Sequence, residues 1–177
     1  MEELVKKAKN GDKEAFTTLM LGLEKELYKI ARARLKNDDD IYDAVQETII
    51  KAFESIKKLK QTRYFKTWII RILINTTKDI YRRNSSEKEL SIEDIESSQT
   101  TNNDNIETLL DLNFIYNALK YEDRIIIILY YMEGFTDKEI GKILKLKENT
   151  VKTRRTRAKQ KIKNVLELGG KYNGWIR

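Results

Sequence analysis

No proline occurs in the 177 residues of this chain, where average usage of roughly 5% would place about nine. A proline ring locks φ, removes a backbone donor and breaks a helix from within. Its absence leaves every amphipathic stretch free to run as an unbroken helix, and the apolar residues are spaced for one. Phe16, Leu19, Met20, Leu23, Leu27, Ile30 and Ala31 recur every third or fourth residue after Asp12, which suits an N-cap. The run Asp38-Asp39-Asp40 then places carboxylates where a helix N-terminus favours them. Behind it follow Ile41, Ala44, Val45, Ile49, Ala52, Phe53 and Ile56 as a second buried face. A third helix, about Tyr64 to Arg83, is expected to bury Phe65, Trp68, Ile69, Ile72, Leu73 and Ile80. The fold class this predicts is all-α, as two small helical domains.

Charge marks the division between them. Residues 1–83 carry nineteen basic against thirteen acidic side chains, and residues 106–177 carry fifteen against nine. Between them, Asn84 to Asn105 holds one basic and six acidic residues among Ser, Thr and Asn. So polar a segment, with Leu90, Ile92 and Ile95 as its aliphatic residues, lacks the surface for a core and reads as a flexible acidic linker. Such a linker would avoid DNA while its basic neighbours seek it, or it is simply a solvated loop. The expected domains are 1–83, a linker over 84–106, and 107–177.

The net charge of +7 biases the chain toward polyanions. Cysteine and histidine are both absent, which removes disulfides, thiolate nucleophiles, most zinc sites and the usual general base. No glycine-rich phosphate loop is present. No catalytic residue, metal site or cofactor is therefore expected, and the chain is read as no enzyme. The longest apolar run, Ile125 to Met132, is far short of the roughly 20 residues of a membrane span. The acidic start Met1-Glu2-Glu3 has no signal-peptide pattern. The expected location is cytoplasmic, without membrane insertion.

On the outer face of the second helix, Asp43, Gln46, Glu47 and Ile50 stand at i, i+3, i+4 and i+7 and form one strip. It reads as a partner surface or as a solvated face with one stray aliphatic residue. The third helix carries Arg71, Asn75, Lys78, Asp79 and Arg82 on its outer side. A basic loop, Lys57 to Arg63 with Lys60, precedes it and ends beside Tyr64 and Phe65. Cations that meet phosphates beside rings that meet unstacked bases are what single-stranded nucleic acid requires. Trp68 fits either such a platform or the core.

The second domain is expected to open with an amphipathic segment, Leu109 to Leu119, and then the run Ile125 to Met132. That run is read as a fully buried helix closed by Gly134, since no partner strand lies nearby. Thr136-Asp137-Lys138-Glu139 is a capping box. A short helix with Gly141 follows, placed to let a second helix cross closely. The turn Lys145-Leu146-Lys147 then offers Leu146 to the core, and a new helix starts near Glu148. This spacing is that of a helix-turn-helix, whose second helix enters the major groove by its N-terminal end. That helix carries Lys152, Arg154, Arg155, Arg157, Lys159, Lys161 and Lys163 with no acid between Thr150 and Lys163. Such a run costs like-charge repulsion that phosphates relieve.

Taken together, the motifs resemble the extracytoplasmic-function (group 4) class of bacterial RNA polymerase sigma factors over nearly all of residues 5–165. The likeness rests on Gly11-Asp12 with Ala15-Phe16, on Asp43-Ala44-Val45-Gln46-Glu47, and on Phe65-Lys66-Thr67-Trp68-Ile69 with Arg71-Ile72, Asn75, Asp79 and Arg82-Arg83. In the second half it rests on Asp123-Arg124, Gly134-Phe135-Thr136, Glu139-Ile140-Gly141, Thr150 to Arg154, and Arg157-Ala158. The resemblance implies a region 2 domain and a region 4 domain. It assigns Asp43, Gln46, Glu47 and Ile50 to core RNA polymerase, whose largest-subunit clamp helices and flap become expected partners. It assigns Lys60, Arg63, Tyr64, Trp68, Arg71 and Asn75 to the −10 promoter element. Lys152, Thr153, Thr156 and Arg157 match positions facing −35 bases, with Thr150 and Arg154 on phosphates. It also implies an anti-sigma factor, often membrane-anchored in the family.

Three residues depart from the family pattern. Arg155 stands at an aliphatic core position, Lys147 at a serine cap and Lys120 at a common proline. Arg155 then either packs its stem on the core and snorkels its head outward, or the helix register differs. Two rivals stay open. One is a stand-alone regulator with a dimerising or sensing first domain; the other is a nucleic-acid-processing enzyme.

Overall fold

A computed structural model describes residues 1–87 and 118–168, and the chain divides into two compact units, Met1–Ser98 and Gln99–Arg177. Both units are helical, and no strand occurs among the described residues.

The first unit is a bundle of α1 (Glu2–Lys9), α2 (Lys13–Arg32), α3 (Asp38–Ser55) and α4 (Phe65–Glu87). The eight-residue α1 is too short for the spacing argument to have singled it out. Asp12 caps α2 as expected, accepting from the Ala15 N–H at 2.9 Å. At α3 the cap is Asn37, whose side chain accepts from the Asp39 N–H at 2.8 Å, and the three aspartates fill the first turn. Helices α2, α3 and α4 pack mutually, and α1 lies along α2. Every core residue expected on α2 is buried. Fully buried side chains such as Leu27, Ile41, Phe65 and Ile69 each contribute on the order of 1.5–3 kcal/mol of transfer free energy.

Several positions depart from the spacing argument, and Ile49 and Ile72, expected in the buried faces, are only half-buried. Phe53 is 50% exposed, because it lies about 100° around α3 from the buried Ala52, and it meets the buried Phe16 ring edge-on. Thr48 takes the inward place instead, its hydroxyl satisfied by the Ala44 carbonyl at 2.7 Å. Thr76 and Thr77 are likewise buried on α4, and Lys51 donates to the Thr76 hydroxyl at 3.1 Å. Helix α4 begins at Phe65 after a 3-10 turn at Thr62–Tyr64 and runs on to Glu87, so its last turn covers Asn84 to Glu87. The remainder of the acidic stretch, and the amphipathic segment from Leu109 as far as residue 117, lie outside the described residues.

The second unit contains α5 (Tyr121–Ile127), a π-helical turn (Ile128–Met132), α6 (Asp137–Leu144) and α7 (Glu148–Leu168). The isoleucine run is helical, but not buried throughout. Ile125 to Leu129 are buried, whereas Tyr131 is 41% exposed and the last turn widens. Glu133 donates to the Ile128 carbonyl at 3.1 Å and Phe135 to the Leu129 carbonyl at 2.9 Å, around a left-handed Gly134 at φ +71°. Leu119, Ile127, Ala158 and Ile162 close the core against α7.

Candidate nucleic-acid and partner surfaces

The strip on α3 is assembled as its spacing requires. Asp43, Gln46 and Ile50 are exposed and Glu47 is half-buried, on the side of α3 opposite Ile41, Thr48 and Ala52. Ile50 keeps 58% of its surface exposed. The strip lines one wall of an open groove, and α4 supplies the other wall through Arg83 and Asn84. Charge in this groove is mixed. Glu47 is paired with Lys51 at 2.8 Å and lies 3.5 Å from Arg83, and the Asn84 amide donates to Asp40 at 2.7 Å. The α4 wall was not among the expected site residues. Arg83 belonged to the family pattern, but only the packing of α3 on α4 brings it to Glu47.

The basic loop sits at the start of α4. Lys60, Arg63, Tyr64, Arg71 and Asn75 are exposed. The Arg63 guanidinium lies over the Tyr64 ring at 4.8 Å, and Arg63 donates to the Gln61 side chain at 3.0 Å. Trp68 is neither core nor free platform: it is half-buried and leans on the fully buried Phe65 at 5.9 Å between ring centroids. One face is thus backed by the bundle while part of the ring stays accessible. Helix α1 packs against the turns that carry this loop, and the Lys9 ammonium donates to the Leu59 carbonyl. Nothing in the local sequence signals that tie, which spans fifty residues.

In the second unit, α6, the three-residue turn and α7 form the helix-turn-helix. The capping box is complete, with the Glu139 N–H donating to the Thr136 hydroxyl at 3.3 Å and the Thr136 N–H to the Glu139 carboxylate at 2.9 Å. The Thr136 backbone N–H first, and then the Thr136 hydroxyl, which donates to the same carboxylate at 2.7 Å, hold the Glu139 carboxyl below its ordinary value. Lys145 ends α6 in the left-handed region, at φ +57°. Gly141 makes room for both the turn and the start of α7, since a Cβ there would stand 2.7 Å from the Leu146 carbonyl oxygen and 3.7 Å from the Glu148 nitrogen. Leu146 is half-buried.

On α7, Val151, Ala158 and Ile162 face inward, and Thr150, Lys152, Thr153, Thr156 and Arg157 are exposed. Arg154 is half-buried at the flank. The Thr153 and Thr156 hydroxyls donate to the Asn149 and Lys152 carbonyls at 2.9 and 3.0 Å, which leaves their oxygens open as acceptors. Arg155 lies four residues after Val151, on the inward face. It is held there by Asp137, with Nε and a terminal nitrogen donating to the two carboxylate oxygens at 2.8 and 2.9 Å. Its guanidinium also stacks 3.9 Å from the Tyr130 ring centroid. Register is therefore regular, and the head is clamped rather than snorkelling. Of the seven cations, Arg155 has its acid, supplied by α6.

Among the described residues no group of three or more histidine, cysteine, aspartate or glutamate side chains could hold a metal ion, and no helix is long and apolar enough to cross a membrane.

Fold and surfaces together define a helix-turn-helix DNA-binding protein built from two helical units. Comparison with known families narrows the class. Sigma-70 region 2 matches residues 19–87, and Sigma-70 region 4 matches residues 115–162. The RNA polymerase sigma factor SigV of Bacillus subtilis is 32% identical over 86% of this chain and 91% of its own length. The ECF RNA polymerase sigma factor SigW of the same organism is 28% identical over 94% of this chain and 96% of its own. The sigma factor RpoE of Bartonella quintana, solved with the anti-sigma factor NepR, shares the fold with a TM-score of 0.73 at 23% identity, over 86% of this chain and 96% of its own. The chain belongs to the extracytoplasmic-function RNA polymerase sigma factors, which direct RNA polymerase to promoters.

Proposed function

We propose that the chain is a group 4 sigma factor whose two units divide promoter recognition between them. The first unit grips core polymerase through Asp43, Gln46, Glu47 and Ile50, against the clamp helices of the largest subunit. Its basic loop captures an unstacked base of the −10 element, with Lys60, Arg63 and Arg71 on the strand and Tyr64, Trp68 and Asn75 around the base. Flipping a base costs a few kcal/mol, which such a pocket offsets. The second unit, tethered over the flap, places α7 in the −35 major groove. There Lys152, Thr153, Thr156 and Arg157 face bases while Thr150 and Arg154 meet phosphates. The protein works in the cytoplasm and makes or breaks no covalent bond.

The carrying observation is that an acidic and apolar strip sits on one unit and a basic, capped helix-turn-helix on the other. RpoE of Bartonella quintana was solved with an anti-sigma factor, and a comparable inhibitor, membrane-anchored or free, is the expected regulator here. Purified core polymerase given this chain should initiate at specific promoters; initiation indifferent to its addition would refute the reading.

A further inference from the structure

The Arg155 clamp has no place in the roles assigned above. The Arg155 guanidinium, on the inward face of the proposed DNA-contacting helix, follows directly after Arg154, which is assigned to phosphate, so it has two competing partners: its own carboxylate, or DNA. In this structure it is committed to the first. Asp137 takes it in a bidentate pair, the geometry in which planar guanidinium and carboxylate match best. Tyr130 covers its face. Both side chains of the pair are largely withdrawn from solvent, at 16% and 15% exposure, so salt screens them less than a surface pair. Asp137 is also the first residue of α6, fixed by the capping box beside it. The clamp therefore ties α7 to the capped start of α6 and to the middle of the π-turn.

We infer that Asp137 and Tyr130 sequester Arg155, so that this guanidinium is kept off the DNA backbone and adds no sequence-blind phosphate contact to α7. The inference rests on the reading of α7 as the duplex-contacting helix. Freed from Asp137, the same guanidinium becomes a sequence-blind phosphate ligand, and each such contact steepens the salt dependence of binding by about one unit in the log–log slope.

The test uses full-length chain assembled on core polymerase. Its probes are a labelled duplex selected by the wild-type assembly from a randomised pool and a scrambled duplex of equal composition, each titrated at several salt concentrations. Asp137→Asn should lower the selected-to-scrambled affinity ratio at least about tenfold and steepen the slope by about one. Arg155→Leu, which keeps an apolar stem on Tyr130 and leaves Asp137 favourably placed at a helix N-terminus, should stay within about threefold of wild type with an unchanged slope. The double variant Asp137→Ser with Arg155→Leu should behave as Arg155→Leu does, even if Asp137→Asn alone folds poorly. A slope flattened by Arg155→Leu would place Arg155 on phosphate already and overturn the inference. So would an unaltered ratio in Asp137→Asn, or a double variant losing as much selectivity as Asp137→Asn. A wild-type assembly selecting no sequence at all would instead overturn the function proposed above.

Discussion

The Lys9 ammonium on α1 donates to the backbone carbonyl of Leu59, 2.5 Å away, where the chain leaves α3 and enters the basic loop. Lys9→Met keeps the stem and removes the donor, so the loop should lose its anchor while the bundle survives. Stability should fall by about 1 kcal/mol, the usual net worth of one such bond, as read by urea denaturation. Strand opening, followed with a fluorescent base analogue in the −10 element, should slow more than duplex binding weakens. Equal losses in both would show that Lys9 supports the bundle in general and not the loop.

Asp43→Ala combined with Gln46→Ala removes two exposed groups from the α3 strip without touching the core. Affinity for core polymerase, measured by fluorescence titration, should drop at least about tenfold while the thermal melt stays put. An unchanged affinity would remove the strip from the polymerase interface.

Arg157→Ala should cost roughly 1–3 kcal/mol of binding if the side chain reads a base, and only for promoters carrying that base. The same loss on every sequence would move Arg157 to the phosphate contacts.

The turn of the helix-turn-helix gives a prediction of unusual sign. In an ordinary helix Gly→Ala is stabilising by roughly 0.5–1 kcal/mol. Gly141→Ala should instead destabilise by about 1–3 kcal/mol, since its methyl would press on the Leu146 carbonyl. Lys145→Gly should stabilise by up to about 1 kcal/mol, because a left-handed residue with a Cβ is strained. Thermal melts of both variants check the pair.

Two titrations bracket the stable pH range. Burial, then the bond it donates to Asp38 at 2.8 Å, raises the Tyr28 phenol from 10.0 to about 12. A proton held more tightly by the folded state stabilises it fully below pH 10, and that contribution fades as pH climbs toward 12. Tyr28→Phe should flatten this alkaline loss. Glu139 works the other way: its carboxyl is depressed, so its contribution is present above the ordinary carboxylate range and disappears as acid protonates the capping box. Glu139→Gln should make acid unfolding of the second unit less steep. Denaturation curves across pH, for each variant beside wild type, decide both.

Much of this architecture was legible because helices declare themselves through spacing. The α2 core, the α3 strip and the Thr136 capping box each follow from residues within a turn or two of one another. What escaped depends on contacts between elements distant in the chain. Lys9 meets Leu59 only because α1 folds beside the loop, Arg83 meets Glu47 only because α4 packs on α3, and Asp137 reaches Arg155 across the turn. Phe53 misled for a simpler reason, since 3-and-4 alternation marks apolar residues at the margin of a face as firmly as those at its centre.

The widened turn at Ile128–Met132 fits one residue more than a regular helix would place between Ile128 and Glu133. Its slack falls just before Gly134, where the backbone already changes hand, and upstream of every α7 residue that meets DNA in the proposed reading. Removing one residue here should let the turn relax to ordinary pitch without disturbing the capped helix beyond it. Relatives that differ in length by a single position should therefore carry that difference at this hinge point, and grafted helix-turn-helix units should be joined there.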